Sequence, residues 1–160
     1  MDLPDTIGLR RKFFADSGRR RMLAASALDE GWLATVQDSP GPYFFVADGV
    51  LTYLAEAPQV IARIAGRFGG ALLAFDTYTQ RQLEQQHKLA ARKNMDARWA
   101  WACDDPRSLE SLGLELVASA AVTRPPRALR TRLPPWYRAL LPLARPIVGD
   151  IAAVTLFRSR

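Results

Sequence analysis

The sequence predicts an α/β domain built on a mainly parallel sheet with helices on both faces. Three observations carry this expectation. The runs YFFVA (43–47) and ALLAFDT (71–77) are apolar without polar alternation, the pattern of strands covered on both faces. Segments with apolar residues at helical spacing stand between the strands. Turn-forming residues, SPGP (39–42) and Gly69-Gly70, separate the two kinds of segment.

Taken in order, Pro4 suits the first turn of a helix, and Ile7, Leu9, Phe13 and Phe14 carry its apolar stripe to about Ala15. Asp16, Ser17 and Gly18 break it. RMLAAS (21–26) is a short apolar run, and LDEGWLATV follows with Asp29 placed as a helix cap ahead of Trp32, Leu33 and Val36. After the strand at 43–47, Val60, Ile61, Ile64, Ala65 and Phe68 mark a helix from about Pro58 to Phe68. The strand 71–77 ends in an acidic residue, and QRQLEQQHKLAARK (80–93) is a polar helix. In DDPRSLESLG (104–113), Asp105 is the cap, Pro106 the first helical residue and Gly113 the terminator. LELVASAAV (114–122) and IAAVTLFRSR (151–160) are the remaining strands. The Pro-rich stretch between them, 123–148, reads as short helices and turns inserted before the last strand.

Composition bounds the function. At 160 residues, 49% hydrophobic and 24% charged, the chain suits one soluble domain with a substantial core. No apolar run reaches the roughly 18 to 20 residues of a membrane helix, and the start lacks a secretory pattern, so a cytoplasmic setting without membrane contact is expected. Cys103 is the single cysteine, which excludes an internal disulfide and a cysteine-based zinc site. The net charge of +6 lies in scattered arginines, at 10–11, 19–21 and 124–145, and reads as a solvated surface rather than a nucleic-acid site.

Right-handed crossovers place the strands' C-terminal ends on one edge, where ligands bind in such folds. There the sequence puts Asp2, the 26–29 turn, Asp48-Gly49 and Asp76. Neither GxGxxG nor GxxxxGK[ST] occurs, so this row of carboxylates suits hydroxyls and amines better than phosphates.

The pieces DLPDTIGLRR, AASALDEGWL, FVADGVLTYL and LLAFDTYT, in that order, resemble the S-adenosylmethionine-dependent O-methyltransferases that include leucine carboxyl and polyketide-biosynthesis methyltransferases. VADGVLTYL is the most specific piece, and the likeness runs through DDPRSLESLGLELV to the closing strand. The resemblance implies a class I methyltransferase (Rossmann-like) fold whose last strand is antiparallel. It also implies a cofactor, S-adenosylmethionine, and methyl transfer to a hydroxyl or carboxylate of a small molecule such as a polyketide.

Carried over residue by residue, the resemblance places Asp2 on the ribose hydroxyls; the competing reading is a terminal helix cap. It places Leu28 and Asp29 along the adenine, with Asp29 equally a plain helix cap. Asp48 stands where the family has Glu, near the methionine end, one methylene shorter, and Gly49 permits close backbone approach. Tyr53 is either a substrate-side residue or, more simply, a packed core tyrosine. Trp136 and Tyr137 lie in the insertion that often covers the acceptor pocket in this fold. His87 is expected on an exposed helix face, Cys103 as an idle thiol, and the tryptophans as packing residues. No metal site and no general base are expected.

The family's Gly-rich turn after its first strand, and an Arg-containing stretch, do not occur in these residues. The expectation is therefore an N-terminally truncated fold lacking its first two strands. Either RMLAAS pairs directly with YFFVA to close the gap, or the open edge of YFFVA takes a complementing N-terminal segment or self-associates. A non-catalytic remnant or binding module is the alternative to an active enzyme.

Overall fold

The computed structural model describes residues 1–121, 123–148 and 152–160, with side chains described for 1–121, 123–143 and 152–160. The chain forms two compact units, Met1–Gly41 and Pro42–Arg160.

In the first unit, α1 (Pro4–Arg10) begins with proline at its start and buries Ile7. It stops earlier than the apolar stripe predicts. Phe13 and Phe14 remain exposed, so the stripe is not buried as one face, and a helix this short gains little from propensity alone. Phe14 lies instead beneath the guanidinium groups of Arg10 and Arg20, 5.7 and 5.6 Å from its ring centre. A tight reversal follows, in which the Ser17 amide donates to the Arg20 carbonyl at 2.8 Å and the Met22 amide to Asp16 Oδ1 at 2.8 Å. α2 (Gly31–Gln37) buries Trp32 and Leu33.

The second unit holds β1 (Phe44–Ala47), α3 (Ala57–Arg67), β2 (Leu72–Tyr78), α4 (Gln80–Arg92), β3 (Leu114–Ala121), α5 (Arg127–Arg130), α6 (Pro135–Val148) and β4 (Ala152–Ser159). Val122 and Ile151, expected in the third and last strands, lie outside the described residues. The sheet order is β1-β2-β4-β3. β1 and β2 pair in parallel, and β4 runs antiparallel to both β2 and β3. Three strands thus share one direction and the last opposes them, as the class I methyltransferase arrangement requires.

Register divides the sheet into two faces of unlike burial. Leu73, Phe75, Phe157 and Leu114 lie on one face and are fully buried, with Phe75 and Phe157 stacked at 5.2 Å. α3 buries Val60, Ile61, Ile64 and Ala65, and contacts β4 and the 3-10 helix Pro106–Leu112. The expected caps form here: Asp105 accepts from the Arg107 amide at 2.9 Å, and Gly113 closes the turn with φ +86°. A cap that the sequence reading passed over is Thr79, whose hydroxyl accepts from the Gln82 amide at the start of α4. At the sheet's base, the Ser159 hydroxyl donates to the Phe68 carbonyl.

Two expectations about β1 need correction. It is not covered on both faces: Phe44 and Val46 are 61% and 66% exposed, and Val154 on the same sheet face is 56% exposed. Nor does RMLAAS pair with it. Within 21–26 the only bridge is that of Ala24 to Asp2, made by the Asp2 amide to the Leu23 carbonyl at 3.1 Å and the Ala25 amide to the Asp2 carbonyl at 3.0 Å. Among the described residues, β1 is an edge strand.

Candidate functional site

In the second unit the candidate site forms at the C-terminal ends of β1 and β2. β1 ends at Ala47, and Asp48-Gly49 turn the chain out of the sheet. Gly49 has φ +62°, a left-handed conformation that side-chain-bearing residues rarely take. Its amide donates to Asp76 Oδ1 at 2.9 Å, so the carboxylate at the end of β2 pins the turn after β1. Asp48 is exposed.

The chain then enters a 3-10 helix, Leu51–Tyr53, anchored by buried Leu51 and Thr52. The Thr52 carbonyl accepts from the Ala100 amide at 2.7 Å and the Trp101 amide at 3.1 Å. Tyr53 is 45% exposed, so it is not the core tyrosine that packing alone suggested. Trp99 packs on Tyr78 with ring centres 4.2 Å apart. His87 Nε2 donates to the Trp99 carbonyl at 2.6 Å, and Gln86 meets Trp99 and Ala97 through its oxygen and nitrogen. His87 is therefore half-buried and bonded, not an exposed surface histidine. A helix face that reads as polar is spent on holding the 97–101 segment.

Asp76 is 9% exposed, and besides the Gly49 amide its carboxylate meets the Tyr78 phenol. Burial, then the Asp76 carboxylate, then the Asp48 carboxylate push the Tyr78 phenol above its ordinary value.

Thr77, on the opposite face of β2 from Asp76, opens into a cavity of about 480 Å³. Thr79, Cys103, Asp104, Ser119 and Arg124 are among its other lining residues. The Cys103 thiol is buried, donates to the Asp105 carbonyl at 3.4 Å, and is pushed up by burial, which makes it a poor nucleophile. From the insertion, the cavity takes Arg124 and Pro126, not Trp136 or Tyr137. Those two lie in α6 with perpendicular rings 5.7 Å apart; Trp136 is 65% exposed and so is no packing residue.

In the first unit, Asp2 sits where the strand-like bridge to Ala24 ends. It does not cap α1: Leu3 is the N-cap residue, and Asp2 Oδ1 accepts only from the adjacent Leu3 amide at 2.8 Å. The side chain is exposed and lines a cavity of about 250 Å³ with Ile7, Arg10, Arg20 and Arg21. Asp29 does not cap α2 either. Its Oδ2 accepts from the Ser26 amide at 2.9 Å, closing the 26–29 turn, while the N-cap position falls to Glu30. Leu28 is 37% exposed on that turn.

Asp76 was legible only as an acidic strand end; its grip on Gly49 was not. Residues 49 and 76 are brought together by the parallel pairing of β1 with β2, which no local pattern announces. The alternation along β2 is the signal that separates Asp76 from Thr77.

Among the described residues, no group of three His, Cys, Asp or Glu could hold a metal, and no helix is long and apolar enough to cross a membrane. No protein-family model matches the chain. It is 31% identical over 113 residues to the tetracenomycin polyketide synthesis O-methyltransferase TcmP of Streptomyces glaucescens, an overlap of 69% of this chain and 42% of that protein. The chain thus spans less than half the length of that relative. Among solved structures, it resembles a DUF574-family protein from Streptomyces avermitilis, with TM-score 0.59 and 18% identity over 99% of this chain and 63% of that one. A candidate methyltransferase from Thermobifida fusca gives 0.58 and 20% over 99% and 62%. A chain in the complex of the Haloferax volcanii Trm112 activator with a candidate methyltransferase gives 0.58 and 13% over 98% and 68%.

Proposed function

From its 31% identity to an O-methyltransferase over 69% of its length and its likeness in fold to solved methyltransferases, we propose that this chain carries part of a methyl-donor site and an acceptor cavity. The observation that carries the reading is the Asp48-Gly49 turn, held open at positive φ by Asp76. Space around Gly49 is clear: a Cβ built there meets nothing within 4 Å. An exposed carboxylate beside a bare stretch of backbone fits an ammonium and the polar end of an amino acid.

The residues present fit S-adenosylmethionine in kind. Asp48 and Gly49 would take the methionine end, and Tyr53 borders the same turn on the substrate side. In the first unit, taken by itself, the exposed Asp2 carboxylate suits a ribose diol, and Leu28 with Asp29 suits an adenine ring and its amine. When bound, the cofactor supplies a methyl group activated by a sulfonium. The chain's own part is to orient and to exclude water, since in-line displacement depends chiefly on alignment.

The 480 Å³ cavity is the natural place for a small acceptor. Its Thr77, Thr79 and Ser119 hydroxyls already bond Ala153, the Gln82 amide and Thr155, so a polar acceptor would meet only their remaining hydrogen-bonding capacity. The likeness to TcmP supports a hydroxyl or carboxylate of a polyketide-like molecule as that acceptor. A carboxylate acceptor needs no base, and none is assigned. Trp136 and Tyr137 remain candidates for acceptor cover, being exposed aromatic surface on the inserted helix.

A second reading rests on a separate observation. The free edge of β1 and the exposed Phe44, Val46 and Val154 present an apolar surface that suits a complementing segment or a second copy. The Haloferax relative, met in a complex with an activator, gives a precedent for a protein partner. In that case the chain binds its donor only when complemented.

Equilibrium dialysis with radiolabelled S-adenosylmethionine tests the proposal. Saturable retention by the purified chain supports it. No retention at millimolar donor, with or without a supplied complementing segment, overturns it.

A further inference from the structure

We propose that Asp76 is a positioning residue for the donor site: it acts through Gly49 to hold Asp48 toward the ligand. The inference rests on the methyltransferase reading above and deepens it.

Three observations meet at this side chain. Oδ1 accepts the Gly49 amide at 2.9 Å across 27 residues of sequence, joining the β1 turn to β2. Gly49 is in the left-handed region, so the turn has a conformation that local preference does not enforce and that the bond selects. The Tyr78 phenol, on the same strand face, shares this carboxylate with the Gly49 amide, so Asp76 is tied to protein on both sides.

Tyr78 shares the strand face of Asp76, and the Tyr78 phenol feels both Asp76 and Asp48. Asp48 is thus near enough to Tyr78 to influence it, which places the exposed carboxylate, the buried carboxylate and the phenol in one polar cluster at the sheet's edge. Within it, Asp76 touches only protein. Asp48 is the member that reaches solvent.

A positioning role predicts selectivity, whereas a merely structural role does not. Two probes separate them: S-adenosylhomocysteine, which carries the amino-acid end, and 5′-methylthioadenosine, which lacks it. In calorimetric titration, Asp76→Ala should weaken the first by about tenfold, as expected for loss of a charge-assisted hydrogen bond. It should leave the second within about twofold. Asp76→Asn keeps a carbonyl oxygen for the Gly49 amide and should restore the first to within about threefold. Amide hydrogen exchange without any ligand gives an independent readout: Gly49 protection should fall in Asp76→Ala and persist in Asp76→Asn. If Asp76→Ala does not fold, Gly49→Ala takes its place, since the added methyl meets open space but the backbone conformation is disfavoured. Equal weakening of both probes, or unchanged Gly49 exchange in Asp76→Ala, overturns the inference while the methyltransferase reading stands. A wild-type chain that binds neither probe overturns both.

Discussion

Thr52→Val should stabilise the chain. Thr52 sits in the 3-10 helix after the Asp48-Gly49 turn, 1% exposed, and its hydroxyl has no partner among the described residues. An unsatisfied buried hydroxyl costs about 1–3 kcal/mol, and valine has nearly the same shape without the polar atom. The carbonyl of residue 52, which receives the Ala100 and Trp101 amides, is untouched by the change. Taking the low end, because some desolvated methyl contact is gained and some backbone relaxation is lost, the gain is about 1 kcal/mol. For a chain of this size that is roughly 2–4 °C in Tm. Thermal unfolding followed by circular dichroism, with urea titration to check that the m-value is unchanged, reads it directly. A loss of about 1 kcal/mol or more would show that the hydroxyl has a partner, and would refute the reasoning.

Phe157→Ala should cost about 3–5 kcal/mol in the same assay, because Phe157 is 0% exposed and stacks on Phe75 at the centre of the buried face. Phe44→Lys or Val46→Lys should change stability by less than about 0.5 kcal/mol, and should abolish any concentration-dependent association seen by size exclusion. The Tyr78 phenol keeps its proton in the fold after the unfolded chain, with its value near 10.0, has lost it. Its contribution is complete below that pH and is lost as pH rises through the higher folded value. Ultraviolet titration of wild type against Tyr78→Phe should show the missing phenol ionising late. Cys103, buried and pushed up, should react with a thiol reagent far more slowly in the folded chain than in denaturant.

The strands and helices of the second unit were legible because each carries its own punctuation. Pro106 and Gly113 bracket the 3-10 helix, Gly69-Gly70 ends α3, and apolar runs mark β2 and β4. What was not legible depends on partners distant in sequence. RMLAAS has the composition of a strand, but its bonds go to Asp2, a choice that composition does not encode. YFFVA looks doubly buried because a continuous apolar run reports what both faces would accept, not what covers them. In the site, Asp48-Gly49 could be read from a short motif, and positive φ at Gly49 agrees with it. Asp29 was misread as a helix cap because an acidic residue before a helix usually is one; here a turn claims it first. Asp76 entered as one more carboxylate, and only the strand pairing shows which turn it holds.

The measurement that reaches the central claim most directly is calorimetric titration of the chain with S-adenosylhomocysteine, alongside Asp48→Ala. The account predicts saturable heat for the wild-type chain, alone or with a complementing segment, and weakening of about tenfold or more in the variant, the loss expected for a charged hydrogen-bond partner. Saturable binding that Asp48→Ala leaves unchanged, or no heat at millimolar ligand under either condition, would contradict it.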